Sequence, residues 1–419
     1  MSSFAIPLSG LEASSDSLNV IANNLANLNT DGFKSQTLNF GDIFSQLQGV
    51  SGNGDPIQVG GGVQVGSTVS DFSNGSVDST GIAANMALQG NGFFVVNNGS
   101  STSYTRDGDF SVNSSGQIVD ASGDLVMGFQ ANSAGQIDTG GALVPISVNS
   151  SAAIAAQATT TFSTTTNLQA GSAAGTTFST PLAITDSLGE TQNLTVTYTA
   201  GATPNTWNYT ITLPASATGG TAPTTVTSGT MTFNSSGDLE STTPAASAGN
   251  SITGIKITGL ADGAAPMNLT WNLNGSSGTP MITQQNSASA TTATNVDGYG
   301  SGTLTGFSVL PDGTVEGTYT NNQTLALGQV AVANFANPEG LTQASNGNFQ
   351  ATVASGDAVV GEAGAGGNGT ITGGAVEQSN VDLSTQFSNM IVAQQSYEAN
   401  AKALTTLDQV SQATIQMIT

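Results

Sequence analysis

The sequence contains no histidine and no cysteine. Their absence removes the Ser-His-Asp and Cys-His arrangements of nucleophilic catalysis. It also removes the usual ligand sets of zinc, haem and iron–sulfur clusters. The chain has to fold without disulfide bonds. We therefore expect that the protein is not an enzyme and has no catalytic residues, no metal site and no cofactor.

Positive charge is almost as scarce. The 419 residues include 27 acids but only four bases, Lys34, Arg106, Lys256 and Lys402, so the net charge is −23. Nucleic-acid binding needs clustered cations, so we expect none. Charged residues amount to 7%, against roughly 25% in an average globular protein. Most of the surface therefore has to consist of uncharged polar residues and glycine.

Long apolar runs are missing as well. The longest clusters, such as Phe93–Val96, are far shorter than the ~18 residues of a membrane span. Met1–Leu11 has neither the basic region nor the apolar run of a cleavable signal peptide. We expect no membrane insertion, and we assign Phe93, Phe94 and Phe110 to a β core.

The N-terminal segment, from about Leu8 to Leu28, has a helical pattern. Its apolar residues form a heptad seam, which Ser14 and Ser15 interrupt. The seam consists of Leu11, Leu18, Ile21, Leu25 and Leu28. The segment is also rich in asparagine, a poor helix former, so we expect this helix to need a partner.

The C-terminal segment predicts a second and longer helix. From Asp382 to Met417 there is no glycine or proline, and a helix of about 35 residues would span ~50 Å. Asp382 or Ser384 could supply the N-cap. Apolar residues recur at steps of three and four: Met390, Ala393, Tyr397, Ala401, Leu404, Leu407 and Val410.

Between the two helices the pattern predicts β structure. Short runs of β-branched and aromatic residues alternate with turn residues, including several Asn-Gly pairs. Predicted strands include Phe93–Asn97, Gln117–Asp120, Asn193–Thr199, Trp207–Leu213, Thr230–Asn234, Met267–Leu273 and Val330–Phe335.

The composition also predicts domain boundaries. Residues 151–290 are dominated by Thr, Ser, Ala and Gly, which indicates a separate β domain. The glycine-rich stretches 49–66 and 361–374 are typical of linkers. The predicted division is 1–30, N-terminal helix of an inner-wall domain; 31–75, linker or extended region; 76–150 with 291–360, discontinuous β domain; 151–290, inserted outer β domain; 361–378, glycine-rich linker; 379–419, C-terminal helix of the inner-wall domain.

Two interpretations of the terminal helices remain open. Each helix could pack on its own β core, or the two could pair with each other and with neighbouring copies. We favour the second, because an exposed apolar stripe of ~50 Å would cause aggregation unless assembly buries it. The candidate polymer interface is Leu11, Leu18, Ile21, Leu25, Leu28, Met390, Tyr397, Leu404 and Leu407.

Local motifs give little support to other chemistry. Gly60–Gly66 resembles a phosphate loop but lacks its lysine and is followed by no helical pattern. Asp107-Gly108-Asp109 and Asp312-Gly313 could suggest calcium, but neither has EF-hand spacing, and we interpret both as turns. Paired carboxylates of a glycosidase are not excluded by counting, although no local signature supports them.

Four motifs resemble one known family. Residues 17–34 resemble the N-terminal signature of bacterial flagellar rod and hook proteins, with Asn23, Asn24, Leu25, Ala26, Asn27, Thr30, Asp31, Gly32, Phe33 and Lys34 as its core. Residues 88–96, and 104–110 with 116–119, resemble the family's shared β segments. Residues 379–383, 390–394 and 397–400 resemble its C-terminal helix.

The resemblance implies a fold and a function. The fold is mainly β with helical termini, discontinuous and multi-domain: the paired terminal helices form a coiled-coil-like inner domain, and the outermost of two outer β domains is inserted in the other. Rod proteins generally lack such a large inserted block, so 151–290 favours a structural subunit that self-assembles into the hook, the flexible tubular joint between rod and filament. The alternatives are a distal rod or other axial protein or, outside the family, an extracellular adhesin.

The resemblance also implies partners and location. They are further copies of the chain in a helical homopolymer, the rod, the hook cap, the hook-length control and hook–filament junction proteins, and the type III export apparatus. The location is extracellular, in the hook and basal body of the flagellum, without a cleaved signal peptide. The chain departs from the family at Gln395, where relatives often have a base, and at Thr385-Gln386, where they have Lys-Glu. Hydrogen bonds are therefore expected there instead of charge pairs.

Overall fold

The computed structural model describes residues 4–44, 46–50, 56–149, 153–247, 250–275 and 277–418. The chain divides into two compact units. The first comprises the described residues of Met1–Ser150, Gly306–Thr318 and Thr324–Thr419, and the second those of Ser151–Thr305 and Tyr319–Gln323. The described fold is mainly β with a helix near each end, as the sequence predicts.

Both long helices form where the apolar periodicity places them. The helices are α1 (Ala5–Ala26), the short α2 (Ala215–Thr218) and α3 (Leu383–Ile418). Asp382 caps α3, since its carboxylate accepts a hydrogen bond from the Thr385 amide at 2.7 Å. Hydrogen bonding to the Thr385 side chain, together with this bond to its backbone amide, holds the pKa of Asp382 below its usual value. The prediction of an N-cap at this aspartate is confirmed.

The strands follow the alternation of apolar and polar residues. In the first part of the chain they are β1 (Gln36–Asp42), β2 (Gln46–Val50), β3 (Pro56–Val59), β4 (Val63–Ser70), β5 (Val77–Ser79), β6 (Met86–Gln89), β7 (Phe93–Asn97), β8 (Thr102–Thr105), β9 (Ser111–Val112), β10 (Ile118–Val119), β11 (Leu125–Gln130) and β12 (Val144–Pro145). The middle part contains β13 (Ala153–Ile154), β14 (Thr161–Gln169), β15 (Thr177–Thr185), β16 (Thr191–Ala200), β17 (Thr206–Leu213), β18 (Thr224–Phe233), β19 (Leu239–Thr243), β20 (Ser251–Ile257), β21 (Met267–Asn272), β22 (Ile282–Gln285) and β23 (Ala290–Val296). The last part contains β24 (Gly302–Val309), β25 (Thr314–Tyr319), β26 (Thr324–Val330), β27 (Val332–Asn334), β28 (Thr342–Gln343), β29 (Asn348–Gln350), β30 (Val359–Gly361), β31 (Thr370–Gly373) and β32 (Ala375–Glu377), with 3₁₀ turns at Pro338–Gly340 and Ser345–Gly347.

The first unit is built on an antiparallel sheet in the order β26-β11-β7-β8-β29-β28. Strand β7 is its central strand, and both of its faces are buried. Phe94 packs with Phe110 on one face, whereas Phe93 packs with Phe335 and Phe349 on the other. The sheet therefore has a core on each side, and the assignment of Phe93, Phe94 and Phe110 to a β core is confirmed.

The second unit is a sandwich of two sheets. Strands β15 to β19 form an antiparallel meander, and β20-β21-β14-β22 form the other sheet, with β23 paired to β14. Side chains from both sheets share one core. Trp271 of one sheet meets Tyr209 of the other edge to face, with ring centroids 5.4 Å apart.

The glycine-rich stretches differ from the linker prediction. Residues 361–374 include β31, which pairs with β6, and Ala363 and Ile371 lie in the core. A Cβ at Gly369 would lie within contact distance of the Gln89 carbonyl oxygen. Glycine is therefore used here for close backbone approach rather than for flexibility. The described part of 49–66 also contains strand residues, namely the end of β2, all of β3 and the beginning of β4, whereas residues 51–55 lie outside the described residues.

Candidate assembly surface

Helices α1 and α3 pack against each other within the first unit and run antiparallel. A Cβ at Gly10 of α1 would lie 2.8 Å from the Asn400 side-chain nitrogen of α3. At the other end of the contact, Asn24 of α1 reaches Gln386 near the start of α3. Glycine at position 10 lets the two helices approach closely, because a larger side chain would occupy the space that the Asn400 side chain fills.

Asn24 joins three elements. Its side-chain amide donates to the Gln36 carbonyl oxygen at 2.8 Å and to Gln386 Oε1 at 3.3 Å. Its own oxygen accepts from the Gln36 backbone amide at 2.9 Å. Asn24 is 1% exposed, so these bonds replace its contacts with water. The same contacts give Gln386 a hydrogen bond, as expected at this position from the sequence.

Small residues form most of the rest of this helix contact. Ala13, Ser14 and Ile21 of α1 are buried, as is Ala393 of α3. Ser14 donates to the Gly10 carbonyl oxygen at 2.7 Å, so its hydroxyl is satisfied within the helix. The apolar pattern predicts that Ser14 interrupts the seam, whereas in the structure this serine belongs to the contact face.

The structure places the nine candidate interface residues on several sides of the helix pair. Ile21 is buried in it and Tyr397 is 38% exposed. The half-buried residues are Leu11, Leu18, Leu25, Leu28, Met390, Leu404 and Leu407. Phe387 and Ile391 of α3, which that set omits, are 51% and 55% exposed. They lie four residues apart on one side of the helix, and this spacing could have identified them.

A groove of about 550 Å³ runs along the helix pair. Its floor is the contact face of α1, one wall is α3, and the other wall is the β1–β4 hairpin. The hairpin is tied to α1 by Ser9, whose hydroxyl accepts from the Val63 amide at 3.2 Å. No charged residue lines the groove, so it is an uncharged surface on a highly acidic chain.

The loop after α1 is held against the β core at Gly32. Its φ is +67°, a conformation that favours glycine. A Cβ there would also overlap the backbone at Arg106 and Asp107. The Gly32 amide donates to the Glu377 carbonyl oxygen at 2.7 Å. This glycine therefore lets three distant segments of the chain approach one another.

A buried ion cluster lies next to this contact. Lys34 Nζ is 2.7 Å from Glu377 Oε1, and an Arg106 guanidinium nitrogen is 3.4 Å from Glu377 Oε2. All three side chains are buried. Two of the four bases in the chain thus share one carboxylate. Glu377 lies outside the residues that the motifs single out, and its position before the C-terminal helix motif gives no sequence signal of this role.

The environment of the cluster compensates for its burial. The Gly75 amide donates to Glu377 Oε1 at 2.8 Å, and Lys34 Nζ also donates to the Ser73 carbonyl oxygen at 2.8 Å. Burial lowers the pKa of Lys34 and of Arg106, and Glu377 opposes that shift in both. Each charge therefore has partners that offset its desolvation.

Asp107 lies in the turn that follows Arg106. Burial raises the pKa of Asp107 to about 6. Asp109, Asp31 and Asp120 raise it further through their negative charge, while a hydrogen bond from the Asp109 amide opposes the shift. Both aspartate–glycine motifs are turns: Asp107 accepts from the Asp109 amide, and Asp312 accepts from the Thr314 amide. This confirms their interpretation as turns.

The remaining signature residues divide between core and surface. Phe33 and Lys34 are buried with Asn24 and Gly32. Asn23, Ala26 and Thr30 are exposed, whereas Leu25, Asn27 and Asp31 are half-buried. The signature therefore describes both the junction with the β core and an outer face of α1.

The described residues contain neither a candidate metal centre nor a helix that could span a membrane. No group of three or more acidic, histidine or cysteine side chains in that part of the chain could hold a metal ion. Within the same residues, none of the helices has the length and hydropathy to cross a membrane.

Four family models match the chain. They are "Flagella basal body rod protein" over 6–34, "Flagellar hook protein FlgE/F/G D1 domain" over 87–163, "Flagellar basal body protein FlaE D2 domain" over 155–299 and "Flagellar basal body rod FlgEFG protein C-terminal" over 372–417. The class that these matches define is the bacterial flagellar rod and hook proteins.

Similarity to curated proteins narrows the class. The chain is 35% identical to the flagellar hook protein FlgE of Salmonella typhimurium, covering 97% of this chain and 98% of the relative. It is 33% identical to FlgE of Borreliella burgdorferi, with 98% of each covered. The chain belongs to the flagellar hook protein family. A crystal structure of Helicobacter pylori FlgE2 has a similar fold, with a TM-score of 0.51 at 12% identity over 70% of this chain and 98% of that one.

Proposed function

We propose that the chain is the structural subunit of a flagellar hook and polymerises through α1 and α3. The family is one of structural proteins of the hook and basal body, and this family places the chain in the flagellum, outside the cell. The α1–α3 pair of one copy is the unit that contacts the next copy. A hook transmits torque as it bends, so its subunits have to form an open polymer with head-to-tail contacts.

One observation carries this proposal. The α1–α3 pair uses small and polar residues for its internal contact and leaves large apolar residues on its outer sides. Phe387 and Ile391 are more than half exposed. An exposed apolar stripe of this kind marks a protein interaction site, and burying each large side chain contributes about 1.5–3 kcal/mol before the entropy cost.

The interface that we propose contains the half-buried leucines together with the exposed side of α3. Leu11, Leu18 and Leu25 are spaced by seven residues and are half-buried, so they border the face that α1 buries in the helix pair and keep part of their surface exposed. Heptad spacing is typical of helix–helix contacts. The further partners, which are the rod, the hook cap, the length-control and junction proteins and the type III export apparatus, follow from the proposed place in the hook.

Electron microscopy of cells that lack this protein tests the proposal. We expect basal bodies with complete rods but without hooks or filaments, and restored hooks on re-expression. Cells whose rods end prematurely would instead indicate a distal rod protein and contradict the proposal.

A second test uses a chain without residues 1–28. We expect the described β sheets to remain folded and soluble, because their cores contain no residue of α1, while tube formation is lost. Normal tubes from this truncated chain, at the concentration at which the full chain polymerises, would also contradict the proposal.

A further inference from the structure

The ion cluster at Glu377 carries more positive than negative charge. Lys34 and Arg106 both face this single carboxylate, and the three side chains are buried. Asp71, which also acts on Lys34 through its negative charge, is exposed to solvent. An unbalanced charge costs free energy when it is kept out of water. A reaction that removes the positive charge of Lys34 therefore leaves Arg106 and Glu377 as a balanced pair.

Asn74 brings a carboxamide to the same cluster. Its side-chain nitrogen Nδ2 donates to Glu377 Oε1 at 3.3 Å and to the Leu88 carbonyl oxygen at 3.0 Å. Lys34 Nζ donates to that same Oε1 at 2.7 Å. The two nitrogens, Lys34 Nζ and Asn74 Nδ2, are therefore no more than 6.0 Å apart. An amine, a carboxamide and a carboxylate between them are the groups that an exchange of ammonia for the lysine amine requires.

The backbone on both sides of Asn74 is held by the same two side chains. Lys34 Nζ donates to the Ser73 carbonyl oxygen at 2.8 Å, and the Gly75 amide donates to Glu377 Oε1 at 2.8 Å. With the backbone held, rotation of the Lys34 and Asn74 side chains has to bring Nζ within the ~3–3.5 Å of Cγ at which such atoms react. Positioning of this kind replaces an encounter between two molecules by a reaction within one chain.

The surroundings favour attack of Lys34 on Asn74. Burial lowers the pKa of the Lys34 ammonium, although Glu377 opposes the shift, and the neutral amine is the form that attacks a carbonyl carbon. Glu377 can serve as base and then as acid, because its Oε1 accepts from both nitrogens while its Oε2 faces Arg106. The Gly90 amide donates to Asn74 Oδ1 at 3.2 Å, where negative charge develops during the attack. Asn74 retains exposed surface, so ammonium can leave to solvent.

We propose that Lys34 and Asn74 form an isopeptide bond once the first unit has folded. Glu377 takes a proton from the Lys34 ammonium, Nζ attacks Cγ of Asn74, and the carboxyl group passes the proton to Nδ2. The Nζ–Cγ bond forms and the Cγ–Nδ2 bond breaks. Nζ gives up a second proton to the leaving nitrogen, so ammonium departs and Glu377 is again a carboxylate.

The bond closes a covalent loop between residues 34 and 74. It joins the segment after α1 to the segment before β5, in a chain that has no cysteine for a disulfide. A cross-link of this kind stabilises a fold mainly by restricting the unfolded chain. The inference goes beyond the proposed function, because the bond lies within one copy and does not depend on polymerisation.

Trypsin digestion with mass spectrometry tests the proposal on the full chain. The chain is folded, then denatured and digested. The four bases of the sequence give few cleavage sites, and trypsin does not cleave after an acylated lysine. We expect the fragments 1–34 and 35–106 to be replaced by a single fragment 1–106, lighter by one ammonia molecule than its sequence requires.

Three variants separate the roles of the reacting groups. Asn74→Ala removes the acceptor and should restore complete cleavage after Lys34. Asn98→Ala is the matched control, because Asn98 is another exposed asparagine that precedes a glycine, and this variant should keep the link. Glu377→Asp retains a negative charge but shortens the side chain, and it should lower the linked fraction of freshly purified chain at least tenfold.

Several results would overturn the inference. One is complete cleavage after Lys34 in the folded, unsubstituted chain, and another is a link that persists in Asn74→Ala. A fragment 35–106 that has lost ammonia while Lys34 is still cleaved would mean that Asn74 has cyclised with the Gly75 amide instead. A link between Lys34 and fragment 257–402, with loss of water, would identify Glu377 as the acceptor and equally contradict the proposal.

Discussion

At the scale of single residues, the junction between the helices and the β core depends on Glu377. Its carboxylate receives Lys34 from the N-terminal signature, Arg106 from the second β motif and the Gly75 amide. Three segments that are far apart in the sequence thus meet at one group. A buried ion pair contributes little net stability compared with apolar packing, but the loss of one partner leaves unpaired charges.

Glu377→Gln should therefore destabilise the first unit strongly. The substitution keeps the size of the side chain but leaves Lys34 and Arg106 without a buried anion, at a cost of about 3–5 kcal/mol. Hydrogen exchange of the β7 amides, which lie in the centre of the sheet, would report it. Glu339→Gln is the matched control, because Glu339 is exposed in the same unit and should cost less than about 0.5 kcal/mol. If the β7 amides are equally protected from hydrogen exchange in the two variants, the Glu377 carboxylate does not stabilise the first unit.

Asp107 gives the first unit a pH dependence of a particular sign. Because its pKa is raised from 3.8 to about 6, the folded chain binds this proton more readily than the unfolded chain between those values. Protonation of Asp107 therefore stabilises the folded chain at low pH. This stabilisation is lost as the pH rises through about 6. The penalty at neutral pH is up to about 3 kcal/mol.

Asp107→Asn should remove this dependence. The amide oxygen of asparagine can still accept the hydrogen bond from the Asp109 amide, so the turn is preserved. We expect the variant to be more stable than the parent chain at pH 7.5 and to differ little at pH 4, as measured by urea unfolding of both chains at each pH. A stability difference that is constant between pH 4 and 7.5 would contradict the assignment.

At the scale of elements, Asn24 fixes the arrangement of α1, α3 and the β1–β4 hairpin. Asn24→Ala removes one buried and two partly buried hydrogen bonds and leaves the Gln36 backbone groups and Gln386 without their partner. Each buried polar group left unpaired costs about 1–3 kcal/mol. We expect faster hydrogen exchange in α1 and slower or less complete polymerisation.

Asn23→Ala is the matched control for that experiment. Asn23 precedes Asn24 in the same helix but is exposed, so its loss should change exchange and polymerisation little. If the two variants behave alike, the buried bonds of Asn24 do not determine the helix arrangement.

The same elements show how far the sequence predicts the structure. Apolar periodicity predicts both long helices, and alternation predicts strands such as β7 and β17. The face on which α1 meets α3 is not predictable in this way, because Ser14 and Asn24 are polar yet buried by specific partners. The linker prediction for 361–374 fails for a similar reason. The glycine content of this stretch is typical of a flexible segment, but at Gly369 the absence of a Cβ allows a close backbone contact with Gln89, which only the fold shows.

At the scale of the whole molecule, the second unit has a core of its own. The buried residues of that core lie between Phe162 and Ile282. Near the two ends of its longer segment, Ser151–Thr305, the Gln157 and Tyr299 amides donate to each other's carbonyl oxygens at 2.9 and 3.0 Å. A short turn can therefore join these two residues without disturbing the cores of the first unit.

Replacement of residues 158–298 by a short Gly-Asn turn should alter the polymer rather than prevent it. The α1–α3 pair and its groove contain no residue of this block, so we expect tubes to form at a similar concentration. The exposed polar side chains of the second unit can exchange their contacts with water at little cost, so their removal should change curvature and bending. Electron microscopy of purified polymers would measure both.

The control is a chain that retains the block and carries Val353→Asp. Val353 is fully exposed, so this substitution should leave the shape of the tube unchanged. Loss of all assembly on replacement would mean that the second unit supplies an essential contact between copies, and that the helices alone do not hold the tube together.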